Sequence, residues 1–420
     1  MGVREGIHMQ VMYQRCCGLD IGKKEVVCCL MTPGVIQGSM QKEIRKFGTS
    51  TGQLLQLRDW LVSAKCEHAA MESTGPYWKP IWNLLEGHVG LTLVNPAHMK
   101  AVPGRKTDVK DAEWIADLLR HGLLAPSYVP EREQRELREL IRYRRSMIEE
   151  RAREANRVQK ILEGANIKFG SVASNVLGVS GRDILQRLAE GEDDPAALAD
   201  LARGRLRDKR EELIAALTGL IQPHQRYMLR RQLDHVIYLD GVISDLDREI
   251  EQRTAEAKQV LERLLTIPGI GIRTAQVIVA EVGVDVSHFP SADHLASWSG
   301  LVPGQNESAG KRKPARARPG NKSLRNALVE AARAAARTKN TYLAAQHARL
   351  KRHLKGKKAT VAVAHTLIVI IYHVLKDGTV YQDLGPHYFV ERDRKALERK
   401  ALRDLERLGY DVSLKPKTAA

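Results

Sequence analysis

The chain has 420 residues, 43% of them apolar, enough for more than one buried core, since single cores stop growing at roughly 250 to 300 residues. Lys and Arg outnumber Asp and Glu by 67 to 50, a formal charge of +17, so the favoured partner is a polyanion, nucleic acid ahead of a membrane surface. The N-terminal stretch MGVREGIHMQVMYQR lacks the apolar centre of a signal peptide, and the longest apolar run, Val361 to Leu375, is shorter than the roughly 20 residues that span a bilayer, so a soluble cytoplasmic protein without a membrane partner is expected.

From Arg15 to Leu30, RCCGLDIGKKEVVCCL reads as two β-rich runs around the turn DIGKKE, a hairpin with Asp20 near the end of its first strand. A third strand is expected around SMQKEIRKFG, then a helix over Thr51 to Ser63. EHAAMEST reads as a buried strand that delivers Glu72 to its C-terminal end. YWKPIWNLLEGH makes another helix, LTLVN a short strand, and GRKTDVKDAEWIADLLRHG the next helix. This β-β-β-α-β-α-β-α order predicts a mixed sheet flanked by helices. Cys16, Cys17, Cys28, Cys29 and Cys66 have the spacing of neither a disulfide framework nor a zinc site and read as strand packing.

Pro126 and Pro130 precede a heavily charged helix whose stretch from Glu131 to Arg157 holds nine arginines against seven acids, mainly a solvated face with surplus arginines that could grip nucleic acid. Gly-rich and acidic breaks follow between Gly164 and Gly204. From Val236 to Leu264 apolar positions recur at 3-4-3-4 spacing, interrupted by Arg253 alone, which predicts a coiled-coil seam of about four heptads. A helical hairpin within its own domain uses the same seam.

LTIPGIGIRTAQVIVAEVG has the pattern of a helix-hairpin-helix, in which Gly269 and Gly271 would let the backbone approach phosphate; a tight connection between packed helices fits the same residues. From Ser308 to Arg325 the chain carries Lys311, Arg312, Lys313, Arg316, Arg318, Lys322 and Arg325 and no acid, a loop and helix start suited to a phosphate backbone. Helices are expected over Lys322 to Thr338 and Lys357 to Lys376, then a solvated amphipathic tail helix. His365 and His373, eight apart, are no metal signature.

Asp108 and Asp111, at i and i+3 behind the basic pair Arg105-Lys106, lie on one face of a helix about a turn apart. Asp108 as a dipole-favoured helix acid with Asp111 merely exposed is the bland alternative. With Asp20 and Glu72 they give four carboxylates in the order Asp, Glu, Asp, Asp. Gathered in one place, these would repel unless divalent cations neutralised them, and hard oxygen ligands select Mg²⁺ or Mn²⁺. Two such ions would clamp the attacking and leaving oxygens of a phosphodiester.

The arrangement resembles the ribonuclease-H-like nucleases, particularly the Holliday-junction resolvase branch. GLDIGKKEVVCCL, AMESTGPYWKPIWNLL and VNPAHMKAVPGRKTDVKDAEWIADLLRHGLL resemble the three acidic blocks of the DEDD-type transposases, the insertion-sequence family numbered one hundred and ten. GLVPGQNESAGKRKPARARPGNKSLRNALVEAA resembles that family's C-terminal block, whose serine after Gly-Leu-x-Pro is the DNA nucleophile; the matching position is Ser308, with Ser299 and Ser323 as weaker candidates. Many relatives place glycine directly after the serine, where this chain has Ala309 and then Gly310.

The resemblance implies an α/β plus all-α protein. Its parts would be a ribonuclease-H-like domain over 14–130, a helical coiled-coil connector over 131–264, a helical transposase domain over 265–390 and a charged tail over 391–420. It implies a recombinase in which Asp20, Glu72, Asp108 and Asp111 bind Mg²⁺ or Mn²⁺ and Ser308 attacks the scissile phosphate. Arg105, Lys106, Gly269, Gly271 and the seven basic residues from Lys311 to Arg325 would touch nucleic acid. It further implies element-end and target DNA, a bridge RNA, and homodimers that assemble into a tetramer. A junction nuclease using water as nucleophile and a nonenzymatic architectural DNA-binding protein are the rival readings.

Overall fold

The computed structural model describes residues 11–36, 39–73, 75–96, 111–304, 307–308, 310–312 and 319–411. The chain divides into two compact units, Met1–Arg132 and Glu133–Ala420.

In the first unit, β1 (Cys16–Ile21), β2 (Glu25–Pro33) and β3 (Met40–Gly48) form an antiparallel meander, and α1 (Thr51–Ser63) follows. β4 (His68–Glu72), α2 (Trp78–Leu85) and β5 (Gly90–Val94) then add two strands parallel to β1, giving the order β3-β2-β1-β4-β5. The expected mixed sheet is therefore present. Alternation along β1 divides its side chains between two cores. Cys17, Leu19 and Ile21 join Leu54, Leu57 and Leu61 of α1 and Ile81 and Leu85 of α2 on one face. Cys16 joins Ala70 of β4 and Ala112, Ile115, Ala116 and Leu119 of α3 (Asp111–Arg120) on the other. All five thiols are buried and free, as their strand-packing reading requires. Burial pushes Cys16 and Cys66 up to about 12 and Cys29 to about 11, so they stay protonated.

The second unit is built on an antiparallel pair, α4 (Arg132–Gly164) and α9 (Pro223–Arg253). Glu136 meets Arg253 at 3.0 Å, Arg144 meets Asp247 at 2.8 Å and Glu154 meets His235 at 3.6 Å, which fixes direction and register. Between the two long helices the chain forms α5 (Phe169–Val172), α6 (Val179–Glu190), α7 (Pro195–Ala199) and α8 (Arg210–Leu217). These pack with Val158 and Leu162 of α4 and Leu229, Leu233 and Val236 of α9 into one core at the far end of the pair.

At the near end a second core gathers Leu137, Ile141 and Ile250 with α10 (Lys258–Leu265), α11 (Ile272–Val282) and α12 (Ala292–Trp298). Beyond the short hairpin β6 (Glu307–Ser308) and β7 (Lys311–Arg312) come α13 (Lys322–Ala335), α14 (Tyr342–Lys351) and α15 (Gly356–Asp377). α15 is long and apolar enough to cross a membrane by length and composition. Its Ala359, Val363, Leu367, Ile368 and Ile371 are fully buried, and it is the central helix of this core. Two tail helices, α16 (Tyr388–Arg392) and α17 (Arg394–Arg407), close the described chain.

The expected continuous heptad seam is corrected here. α9 stops at Arg253, where the Thr254 hydroxyl donates to the Ile250 carbonyl at 2.8 Å and a 3₁₀ turn over Ala255–Ala257 redirects the chain. Val236 is buried in the far core, and Ile250, Leu261 and Leu264 in the near one. The seam serves an intrachain hairpin and the bend after it.

Candidate functional site

Asp20 and Glu72 take neighbouring positions on one sheet face, and α3, headed by Asp111, packs on that face. The parallel register of β1 and β4 runs to Leu19 opposite Met71, so Asp20 and Glu72 follow as the next neighbours, on strands about 4.8 Å apart. Both alternate onto the face that carries Cys16 and Ala70, the face α3 covers. α3 runs against β1: the Arg120 carbonyl accepts from Met12 N at 2.8 Å, and the Ala116 carbonyl from Cys16 Sγ at 3.6 Å. At Gly18 a Cβ would stand 2.1 Å from the Ala112 carbonyl oxygen, so only glycine lets the helix lie this close to the strand. Ala112 thus lies over Gly18, two residues before Asp20, and Asp111 heads the helix one residue earlier.

Asp20, Glu72 and Asp111 are half-buried, and Asp111 Oδ1 is shielded from solvent. Glu113, the other acid in the first turn of α3, is engaged by Lys42 of β3. Asp108, Arg105 and Lys106 lie outside the described residues. Among the described residues no group of three His, Cys, Asp or Glu could by itself hold a metal ion. The expected donors are all hard carboxylate oxygens, the chemistry that suits Mg²⁺ or Mn²⁺ rather than a thiophilic ion.

In the second unit the α10–α11 turn divides the two glycines by role. Gly269 has φ +87° and packs against α13: a Cβ would meet the Ala331 carbonyl oxygen at 2.3 Å. Gly271 is the exposed N-cap of α11, with open space around it. Helix packing thus occupies the first glycine, and the second leaves the α11 amides facing solvent.

Ser308 pairs with Lys311 in the β6–β7 hairpin, and Gly310, at φ +73°, turns the chain between them. Where a plain loop is expected, the backbone forms this short ladder. The side chains of Ser308, Lys311 and Arg312, and the residues Lys313, Arg316 and Arg318, lie outside what is described. Ser299 is fully buried and donates to the Ala296 carbonyl at 2.8 Å, a structural role that removes it as a nucleophile candidate. Lys322 and Arg325 sit in the first turn of α13, and Ser323 between them is half-buried.

The root of the segment that carries Ser308 is tied down by groups the sequence reading missed. Asn321 caps α13 by accepting from Leu324 N at 3.1 Å, and its backbone N donates to the Trp298 carbonyl at 3.1 Å. Its side-chain amide donates to Glu281 Oε2 at 2.7 Å. Glu281, fully buried on α11, accepts from Nε and Nη2 of the Arg142 guanidinium at 2.8 Å each. Burial pushes its carboxyl up, but the Arg142 and Asn321 hydrogen bonds and the Arg138 charge outweigh this and hold it below the usual range. An acid inside the apolar run VIVAEVG, and an Asn immediately before a helix, were the available signals.

This network also corrects the solvated-face reading of α4. Arg144 is 2% exposed and reaches Asp247 and Gln276, and Arg151 and Arg182 share Asp240. Several of the α4 arginines are therefore internal fastenings.

Comparison with known proteins gives a consistent picture. Residues 17–167 match a family model described as "Transposase", and residues 261–348 match "Transposase IS116/IS110/IS902 family". The chain is 30% identical over 323 residues to the "Insertion element IS110 uncharacterized 43.6 kDa protein" of Streptomyces coelicolor, covering 68% of this chain and 74% of that one. It is 26% identical over 337 residues to the "Transposase for insertion sequence element IS1328" of Yersinia enterocolitica, covering 78% and 89%. Among solved structures it is similar to a Fowlpox virus resolvase in complex with Holliday junction DNA, at 15% identity over 25% of this chain and 72% of that one; the TM-score of 0.18 is too low to bear on the fold.

Proposed function

The chain belongs to the IS116/IS110/IS902 family of transposases and is a DNA transposase/recombinase of an insertion sequence, and we propose that it exchanges strands with metal assistance through a serine–DNA phosphodiester. The observation that supports this reading is that Asp20 and Glu72 take neighbouring positions on one face of the β1–β4 pair, the face on which α3, headed by Asp111, packs. The order β3-β2-β1-β4-β5, antiparallel on one side of β1 and parallel on the other, supports a ribonuclease-H-like assignment for 14–130. We divide the remainder into a connector over 131–264, a serine-bearing domain over 265–390 and a tail from 391. Buried free thiols favour a reducing cytoplasm.

Bound by Asp20, Glu72, Asp108 and Asp111, Mg²⁺ or Mn²⁺ would supply Lewis-acid relief of charge building on the scissile phosphate. The protein's contribution is to hold ionised carboxylates on rigid strands and a helix head, with little reorganisation to pay for during reaction. Ser308 Oγ would bond to phosphorus as the bond to the leaving DNA oxygen breaks, and the serine proton would end on that oxygen. A second DNA hydroxyl would reverse the step and release the serine, so strands exchange without hydrolysis. Lys311, Arg312, Lys313, Arg316, Arg318, Lys322 and Arg325 would hold the backbone, with Arg105, Lys106 and the α11 amides after Gly271 as further contacts. On the family resemblance we add a bridge RNA, and dimers that join into a tetramer so that one copy's acids serve another's Ser308.

The test is incubation of the full chain with element-end DNA, Mg²⁺ and RNA transcribed from the gene's flank, followed by isolation of DNA esterified to protein. The adduct should map to Ser308 and vanish in Ser308→Ala. Continued cleavage by Ser308→Ala would favour water as nucleophile, and joined products without any adduct would sink the mechanism.

A further inference from the structure

Away from the acidic face and the Ser308 segment, one stretch of surface stands apart in charge. From Ala331 to Lys376 the chain carries ten Lys or Arg and no Asp or Glu. Five of them, Lys351, Arg352, Lys355, Lys357 and Lys358, fall within eight residues where α14 ends and α15 begins, and all five are exposed. Several cations elsewhere in this unit are spent inside the fold: Arg142 on Glu281, Arg144 and Arg273 on Asp247, Arg151 and Arg182 on Asp240. Arg349, one turn earlier on α14, still reaches Asp393 at 3.8 Å. None of the five forms an ion pair among the described residues.

Fold stability does not account for this cluster. Lys355 is the N-cap of α15, contributes no side-chain cap, and the first turn that follows holds no acid. Lys355, Lys357 and Lys358 therefore repel one another and oppose the positive end of the helix dipole. Nor is the segment a loose arm. Ala359 and Thr360 are buried directly after it, Leu350 packs against the core directly before it, and the turn is closed by His353 N to Leu350 O at 3.1 Å and Lys358 N to Lys355 O at 2.8 Å. Unpaired, self-repelling charges on a fixed frame are what a polyanion with closely spaced charges would stabilise, and a DNA duplex presents one charge per roughly 1.7 Å of axis.

We propose that Lys351–Lys358 is a second DNA-docking surface, which grips the phosphate backbone of a duplex without reading its sequence. Its choice of partner rests on the DNA recombinase reading; it is independent of Ser308. Phosphate contacts of this kind position the protein on DNA and leave specificity to other groups.

The experiment compares the full-length chain with a Lys355→Gln/Lys357→Gln/Lys358→Gln variant, and with Lys351→Gln/Arg352→Gln on the opposite side of the turn should the first fail to fold. Binding to two short fluorescent duplexes of unrelated sequence is followed by anisotropy over a range of salt. Each phosphate contact adds about 0.9 to the slope of log affinity against log salt, so the triple variant should lose about 2 to 3 from that slope, equally on both duplexes. Lys400→Gln/Arg403→Gln/Arg407→Gln on α17 removes the same charge and should lose clearly less. An unchanged slope, or an equal loss in the α17 control, overturns the proposal. A loss confined to a hairpin RNA or to anionic vesicles, with duplex binding intact, also overturns it. Failure of the unaltered chain to bind any duplex would count against both this surface and the recombinase reading. A Ser308 adduct that still forms in the triple variant at saturating DNA, alongside the lost slope, identifies a docking role separate from the chemistry.

Discussion

Asn321 uses its side chain twice, accepting from Leu324 N at 3.1 Å as the cap of α13 and donating to the buried Glu281 carboxylate at 2.7 Å. The segment that holds Ser308 ends at this residue, so its downstream root is fastened to α11 and, through Arg142, to α4.

Asn321→Ser separates the two roles, because serine also caps helices well but cannot reach Glu281 as a donor. Loss of a hydrogen bond to a buried charge should cost about 1.5 to 3 kcal/mol, read as a lower melting temperature. Strand exchange should slow, with duplex affinity retained. Unchanged melting and exchange would mean the contact restrains nothing.

Glu281 also makes a signed pH prediction. Its folded pKa is depressed, so its stabilising contribution is complete above the unfolded carboxylate value of about 4.3 and is lost as pH falls through the lower folded value. The stability gap between wild type and Glu281→Gln should stay constant from pH 7 to near 5 and close only in stronger acid. A gap that closes near neutrality would contradict the assignment. The Arg142–Glu281 pair must also be read with its partner: breaking it by removing one member leaves a buried charge uncompensated, which is why Arg142→Leu should be worse than the Arg142→Leu/Glu281→Leu double change.

Gly18→Ala should damage the acidic face without altering any acid. Its Cβ would collide with backbone, the Ala112 carbonyl oxygen at 2.1 Å, so either α3 lifts or β1 yields. Overpacking of this kind costs about 1 to 3 kcal/mol. Cleavage should fall much further than melting temperature suggests, because Asp111 moves with the helix. Wild-type cleavage in this variant would show that the head of α3 is not part of the site.

Asp20→Asn, Glu72→Gln and Asp111→Asn should each abolish DNA cleavage and leave duplex binding within a few-fold. Removing divalent cations with EDTA should do the same to wild type, reversed by Mg²⁺ or Mn²⁺ but not by Ca²⁺ at equal occupancy. Full activity in any one of the three variants would remove that residue from the proposed ligand set.

The buried thiols give a simple check on the first unit. With Cys16 and Cys66 raised to about 12, iodoacetamide at pH 8 should leave the native chain unlabelled and modify all five cysteines after unfolding. Rapid labelling of the native chain would mean that this sheet opens readily.

The shared face of Asp20 and Glu72 is readable from sequence because its determinants are local. Alternation in CCGLDI and HAAME fixes which side chains share a face, and the spacing of the elements fixes their order. Gly18, which sets the height of α3, looks like any glycine in a strand until its neighbour nearly a hundred residues later is known. The 3-4-3-4 pattern after Val236 was a genuine seam, but heptad spacing says nothing about whether the partner helix belongs to the same chain, and Thr254 is not a strong stop signal. The α4 arginines looked solvated because Asp240, Asp247 and Glu281, which neutralise them, lie 89 to 139 residues away. The sequence pattern does not announce helix α14, although Thr341 caps it, because its apolar face is narrow.

The ionic layer between α4 and α9 has a consequence for how far apart the two cores of the second unit stand. Leucines and isoleucines alone would tolerate sliding of one rod past the other by a heptad, whereas Arg144 and Arg151 meet their aspartates in a single alignment. The rods therefore behave as a gauge block: from Ile141 to Val158 is seventeen residues at 1.5 Å each, about 26 Å. Lengthening both rods in step would change that interval only in increments of one residue, and each increment would swing the distal helices around the axis by about 100°.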